Sequence, residues 1–161
     1  MDMYVLQVKP SSEEYVVSEL RKLGFNAMCP TEKIHIRRGG QWHEAEKLIF
    51  TQYVFVECDL TDKSYYSIRS VFGTVRFLGF GKPEPLKKDE QEQIRLLNNN
   101  GKPIEASKIY VTSTGEKMIM SGILRDHSDN IIYLDLRQRK AKVRIRFADK
   151  EHVITLPVIE I

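Results

Sequence analysis

LIFTQYVFVECD, Leu48 to Asp59, is the stretch on which the reading of this chain turns. A half-buried strand alternates apolar with polar residues. Here Val54 and Val56 share one parity and Tyr53 and Phe55 the other, so both faces are apolar, and Leu48, Ile49 and Phe50 precede them. One face fits a core beneath helices. The other needs separate cover, and an exposed apolar strip of that size marks a docking site for a partner. The competing arrangement is a sheet covered by helices on both sides.

Outward from this strand, the N-terminal two thirds reads as α+β. MYVLQV (Met3 to Val8) is an apolar strand. Ser11 and Ser12 offer a cap, and Glu13 and Glu14 an acidic first turn. A helix follows, with Val16, Val17, Leu20 and Leu23 on one side and Gly24 as its stop. Phe25 to Pro30 reads as a second strand. KIHIRRGGQW (Lys33 to Trp42) alternates and then turns at Gly39-Gly40, which predicts a hairpin with a polar return strand. Thr61-Asp62 caps a second helix that ends at Gly73, and Thr74 to Phe80 is a strand. A polar third helix over Lys88 to Leu97 leads into Asn98-Asn99-Asn100-Gly101-Lys102-Pro103, a linker. Beyond it, short strands at Ile109–Thr112, Met118–Leu124, Ile131–Leu136, Ala141–Phe147 and Val153–Leu156 predict a small β-barrel. The expected division is a first domain at 1–98, a linker at 99–107 and a barrel at 108–161.

Composition excludes several classes. The 161 residues hold no apolar run near the ~20 needed to span a bilayer. The acidic start MDMYVLQVKP lacks the basic character of a signal peptide, so a cytoplasmic protein is expected. Cys29 and Cys58 lack CxxC spacing and read as reduced thiols. Lys and Arg balance Asp and Glu at 14 each over residues 1–99, whereas residues 100–161 carry 11 cations against 8 acids. Six of those cations fall within Arg137–Arg146, so any attraction for nucleic acid is local.

No motif for bond-making chemistry is present: there is no HExxH, GxSxG, Walker loop or GxGxxG. His35 and His43 could face each other across the Gly39-Gly40 hairpin near Glu44 and Glu46, which would suit a metal-dependent enzyme, but solvated hairpin polars explain them as well. No catalytic residue, metal or cofactor is expected. Lys140, Lys142, Arg144 and Arg146 share one parity of a strand whose other parity is Ala141, Val143, Ile145 and Phe147. That row of cations suits phosphates, or protects an edge strand from aggregation. Arg37, Arg38 and Trp42 at the hairpin tip could pair with phosphate and stack on a base.

The order of these segments resembles the NusG family of transcription elongation factors, in which an NGN domain precedes an SH3-like KOW barrel. The resemblance rests on MYVLQVKPSSEEYVVSELRKLG, PTEKIHIRRGGQW and FTQYVFVECDLTDKSYYSIRSVFGTVRFLGFGKPEPL; in the barrel it rests on Gly122 and the strand pattern. It implies an NGN domain whose antiparallel sheet is flanked by helices, and a docking patch for the clamp helices of the largest RNA polymerase subunit. Leu48, Ile49, Phe50, Tyr53 and Phe55 would form that patch. Phe50-Thr51-Gln52-Tyr53 stands where the family usually has Phe-Pro-Gly-Tyr, which implies an altered turn. Arg69-Ser70-Val71-Phe72-Gly73 corresponds to the loop that approaches upstream or non-template DNA. Lys9 and Lys22 fall where specialised paralogues carry basic residues. The implied nucleic-acid set is Lys9, Lys22, Arg37, Arg38, Trp42, Arg69, Ser70 and Arg76, with Lys140, Lys142, Arg144 and Arg146 as a secondary RNA or partner site.

In the barrel, Thr114-Gly115-Glu116-Lys117 replaces the family's Gly-Pro-Phe turn and Phe147-Ala148-Asp149-Lys150 its Phe-Gly-Arg. These departures resemble specialised paralogues of the LoaP-like type, antiterminators recruited through a hairpin in the leader RNA. The expected function is therefore to bind RNA polymerase as a monomer and suppress pausing and termination. A general NusG-type factor without RNA specificity and a ribosome-associated KOW-type RNA-binding protein are the alternatives.

Overall fold

A computed structural model describes all 161 residues. The element order is β1 (Asp2–Val8), α1 (Glu13–Lys22), β2 (Asn26–Met28), β3 (Thr31–Arg38), β4 (Gln41–Leu48), β5 (Tyr53–Cys58), α2 (Asp62–Arg69), β6 (Thr74–Phe77), α3 (Lys88–Asn98), β7 (Ser107–Val111), β8 (Lys117–Ser121), β9 (Ile131–Asp135), β10 (Lys140–Phe147) and β11 (Lys150–Glu160). Two compact units form, and they interleave along the chain. The first comprises Met1–Cys29, Phe50–Ile94 and Phe147–Lys150; the second Pro30–Ile49, Arg95–Arg146 and Glu151–Ile161.

The first unit is a four-stranded antiparallel sheet, ordered β2-β5-β1-β6, with helices. In the register Leu6 faces Val54 and Tyr4 faces Val56. Leu6, Val54 and Val56 join Val16, Val17, Leu20, Ile68 and Phe77 in one buried core. The opposite parity, Met3, Val5 and Phe55, is equally buried. Segment 86–94 is held to β1 by hydrogen bonds from Leu86 N–H to the Met3 carbonyl (2.8 Å) and from Gln91 Nε2 to Asp2 (3.3 Å). Its Leu86 and Ile94 are buried.

Helix starts differ in chemistry. Thr61 caps α2 in a reciprocal capping box with Ser64. Ser12 precedes α1 without a side-chain cap bond, contrary to expectation. The neighbouring Glu13 carboxylate is instead buried and accepts the Gln52 backbone N–H at 2.8 Å.

The second unit contains the β3–β4 hairpin, turned by Gly39 and Gly40 at φ 58° and 78°, as two-residue hairpin turns require. Ile104 bonds alongside β3, donating to the Thr31 carbonyl (2.8 Å) and accepting from Lys33 N–H (2.9 Å). The remaining strands form the small all-β barrel, ordered β8-β7-β11-β10-β9. The parity of β10 appears as Ala141, Val143 and Ile145 buried and Lys142, Arg144 and Arg146 exposed. The strand expected over Met118–Leu124 ends at Ser121. Gly122, at φ 101°, turns the chain into 3-10 turns over Ile123–Asn130. A Cβ on Gly122 would meet Ser107 Cα at 2.6 Å, so this position needs glycine for space as well as backbone angle.

Candidate functional site

The second face of β5 has a cover, and it is aromatic. Phe147 packs edge-to-face on Phe50 (5.3 Å between centroids), Phe55 (5.5 Å) and Tyr53 (6.0 Å), and Phe50 itself stands 5.3 Å from Phe55. Such geometry is favoured by the ring quadrupoles. Phe55 and Phe147 are fully buried, Phe50 nearly so, and Tyr53 is half-buried. The open apolar strip expected here is thus filled by a side chain from the 147–150 turn. Leaving it bare would cost about 25 cal/mol per Å² of apolar surface. Of the other two residues assigned to the patch, Ile49 is buried and Leu48 half-buried, both in the second unit.

Two turns present this cluster. Gln52 takes φ 66°, the left-handed backbone a glycine adopts freely. Glu13 holds its N–H, and its carbonyl accepts from Val8 (2.9 Å). A left-handed turn therefore forms at Phe50–Tyr53 without glycine. Ala148 and Asp149, after Phe147, likewise take φ 52° and 59°.

The basic residues of the first unit are dispersed over short polar contacts. The Lys9 ammonium lies over the Phe72 ring at 5.0 Å, and that ring is 73% exposed. Arg76 Nε donates to Gln7 (3.0 Å), Arg69 to Thr74 Oγ1 (3.4 Å) and Ser70 Oγ to the Ser67 carbonyl (2.6 Å). Lys22 is paired with Glu19 at 3.0 Å on the surface.

In the second unit the hairpin residues are brought to the barrel. Trp42 is half-buried; the Arg139 guanidinium lies 4.1 Å and that of Arg37 5.8 Å from its ring. Arg37 and Trp42 are direct cross-strand partners. They line a cavity of about 610 Å³ together with Glu32, Lys47, Arg137 and Lys140. Arg38 stays exposed at the tip. The row of four cations divides: Lys140 lines the cavity, whereas Lys142, Arg144 and Arg146 face outward, with Arg144 3.5 Å from Glu151.

Sequence reasoning passed over Arg137 and Arg139, although they belong to the cationic run, and over Glu32. Glu32 is 1% exposed, and one carboxyl oxygen is buried without a hydrogen-bond partner. Burial pushes its pKa up to about 8, with Lys47 pulling the other way. Its only signal in the sequence is an acid on the same parity as Ile34 and Ile36.

The register places His35 opposite Glu44 and His43 opposite Ile36, so the two histidines occupy opposite faces of the hairpin and do not meet. No group of three His, Cys, Asp or Glu side chains gathers to hold a metal. Both cysteines are free; burial and the nearby Glu14 charge push the Cys29 thiol up to about 11, away from the reactive thiolate. No helix is long and apolar enough to cross a membrane.

Comparison with known proteins gives this geometry a relative. A family model described as NusG, transcription termination factor nusG, matches residues 1–95. The chain is 27% identical over 141 residues to the transcription termination/antitermination protein NusG of Thermus thermophilus, covering 82% of this chain and 77% of that one. Against the protein of the same name from Halalkalibacterium halodurans it is 27% identical over 164 residues, covering 98% and 91%. A structure described as "Domain interaction in Thermotoga maritima NusG" superposes with a TM-score of 0.56 at 26% identity, covering 98% of this chain and 93% of that one. Since the family model spans more than half of the residues, including every strand of the first sheet, the chain belongs to the NusG family.

Proposed function

We propose that this chain is a cytoplasmic, monomeric transcription termination/antitermination factor that binds RNA polymerase and is recruited to particular operons through a leader RNA hairpin. It acts by binding, without catalysis. The observation that carries the reading is the aromatic cluster of Phe50, Tyr53 and Phe55 on a sheet matched by the family model. Large aromatic side chains gathered in one apolar site are the usual anchors of protein interfaces.

Phe50, Tyr53 and Phe55, with Leu48 and Ile49, form the polymerase-docking residues, seated on the clamp helices. Phe147 occupies this site, so docking requires the 147–150 turn to leave it. The similar Thermotoga maritima NusG structure is described as a domain interaction. Bridging the polymerase then disfavours the clamp opening that pausing and termination need. Lys9, Lys22, Arg69, Ser70 and Arg76 face upstream or non-template DNA. Arg37, Arg38 and Trp42 take RNA, with Lys140, Lys142, Arg144 and Arg146 extending the contact. Exposed cations make both contacts salt-dependent.

Terminator readthrough with purified RNA polymerase tests this, on a template carrying the native leader and on one with its hairpin scrambled. Readthrough is expected only with both the protein and the intact hairpin. Equal readthrough on both templates would reduce the protein to a general elongation factor. No effect and no polymerase binding would overturn the reading.

A further inference from the structure

We propose that the cavity between the β3–β4 hairpin and barrel residues 137–140 is a nucleotide-binding site, which takes a nucleotide whose base carries an amino group. This rests on the RNA-binding part of the proposed function and deepens it, since an unpaired residue of an RNA is one source of such a ligand and a free nucleotide the other.

Three features of the cavity agree. The first is charge. Arg37, Lys47, Arg137, Arg139 and Lys140 line it against a single acid, Glu32. Guanidinium groups bind phosphate oxygens through paired N–H donors.

The second is a flat cationic stack already in place. The sole tryptophan of the chain, Trp42, carries the Arg139 guanidinium at 4.1 Å. Unpaired bases stack on such aromatic and guanidinium planes.

The third is Glu32. A buried oxygen without a partner is rare in a folded protein and calls for an explanation. Here the side chain lines the cavity, among Ile34, Ile36 and Pro157. Its free oxygen is an acceptor, and the amino groups of adenine, cytosine and guanine are donors that suit it. Above about pH 8, where the carboxyl has lost its proton, it only accepts, and uracil sets a carbonyl oxygen where those bases set the amino group.

Glu32 and Trp42 leave opposite faces of the hairpin in its register, yet both line the ~610 Å³ cavity, so a base near Glu32 and the base of the next residue stacked at Trp42 are separate contacts of one strand.

The test titrates the full-length protein at pH 9, where Glu32 is ionised, with 5′-phosphorylated ribodinucleotides pApA, pCpC and pUpU, and with CMP. Trp42 fluorescence reports binding and equilibrium dialysis repeats it. Saturable binding of pApA and pCpC, at least tenfold tighter than pUpU, is expected. Glu32→Met should bring pUpU within about threefold of the others, because the acceptor is gone. Arg139→Gln should weaken every dinucleotide about tenfold, in line with a lost charge-assisted hydrogen bond. CMP equal to pCpC would assign the site to free nucleotides, and pCpC tenfold tighter than CMP would assign it to an RNA strand.

No saturable binding to the folded protein at millimolar dinucleotide overturns the proposal. So does binding that ignores both substitutions. The reading of the whole protein is separable. Hairpin-dependent readthrough without dinucleotide binding removes the cavity alone, and dinucleotide binding without readthrough removes the transcription role alone.

Discussion

Two aromatic sites in this chain have opposite fates. Around Phe50, Phe55 and Phe147 every ring has ring neighbours and water is excluded. Around Trp42 the neighbours are guanidiniums, a cavity stays open, and a carboxyl oxygen is left without a partner. The first site gives stability by burial and must give some of it up to bind anything. In the second a ligand would cost little packing, because Arg37 and Arg137 remain accessible. An apolar site in this chain is therefore a candidate for regulated docking, and a cationic one for direct recognition.

That contrast can be broken by substitution. Phe147→Ala should have the largest effect, a loss of about 3–5 kcal/mol in chemical denaturation, the usual range for a buried phenylalanine. The same variant should bind RNA polymerase more tightly in a pull-down. A loss under about 1 kcal/mol would mean that the ring is not a filled part of the first unit.

Glu32→Gln sharpens the contrast through pH. The folded carboxyl keeps its proton up to about pH 8, whereas the ordinary value is 4.5. Between those values the folded state binds more protons than the unfolded one. Stability is then full below about pH 4.5 and falls as pH rises towards 8, with a slope on the order of 1 kcal/mol per pH unit. The variant lacks this component, so its melting temperature should fall less with rising pH across this window than that of the native chain, while buried His127, whose pKa is lowered, acts alike in both. Parallel profiles would show that the carboxyl is not held protonated.

Glu13→Ala should cost about 2 kcal/mol, the range for a partly buried hydrogen bond to a charged group. It should also loosen the Thr51-Gln52 turn, read as faster amide exchange at Gln52. Unchanged exchange there would mean that the turn holds itself. The smallest effect is expected from Ala148→Gly. Relief of the left-handed backbone should stabilise by about 1 kcal/mol, set against the added freedom of glycine in the unfolded chain. A destabilised variant would show that the turn carries little strain.

The sequence by itself determined the local periodicities and the partition of faces. The helical spacing of Val16, Val17 and Leu20, the Gly39-Gly40 hairpin and the alternation of β10 could all be read directly, because each depends on neighbours two to four residues away. It also revealed that β5 is apolar on both faces. What covers the second face was decided only by the tertiary structure. Phe147 lies 92 residues beyond Phe55, and period two tells where a side chain points without telling what arrives there. The same limit hid the cavity. Trp42 and Arg37 were legible as a pair at the hairpin tip, but Arg139 and Glu32 acquire meaning only when residues 30–49 and 137–157 come together in one compact unit. Separation of His35 from His43 was likewise a matter of register, which the strand pairing fixes and composition does not. Short-range chemistry wrote the elements of this protein; long-range packing chose which of their faces were closed and which were left open to a ligand.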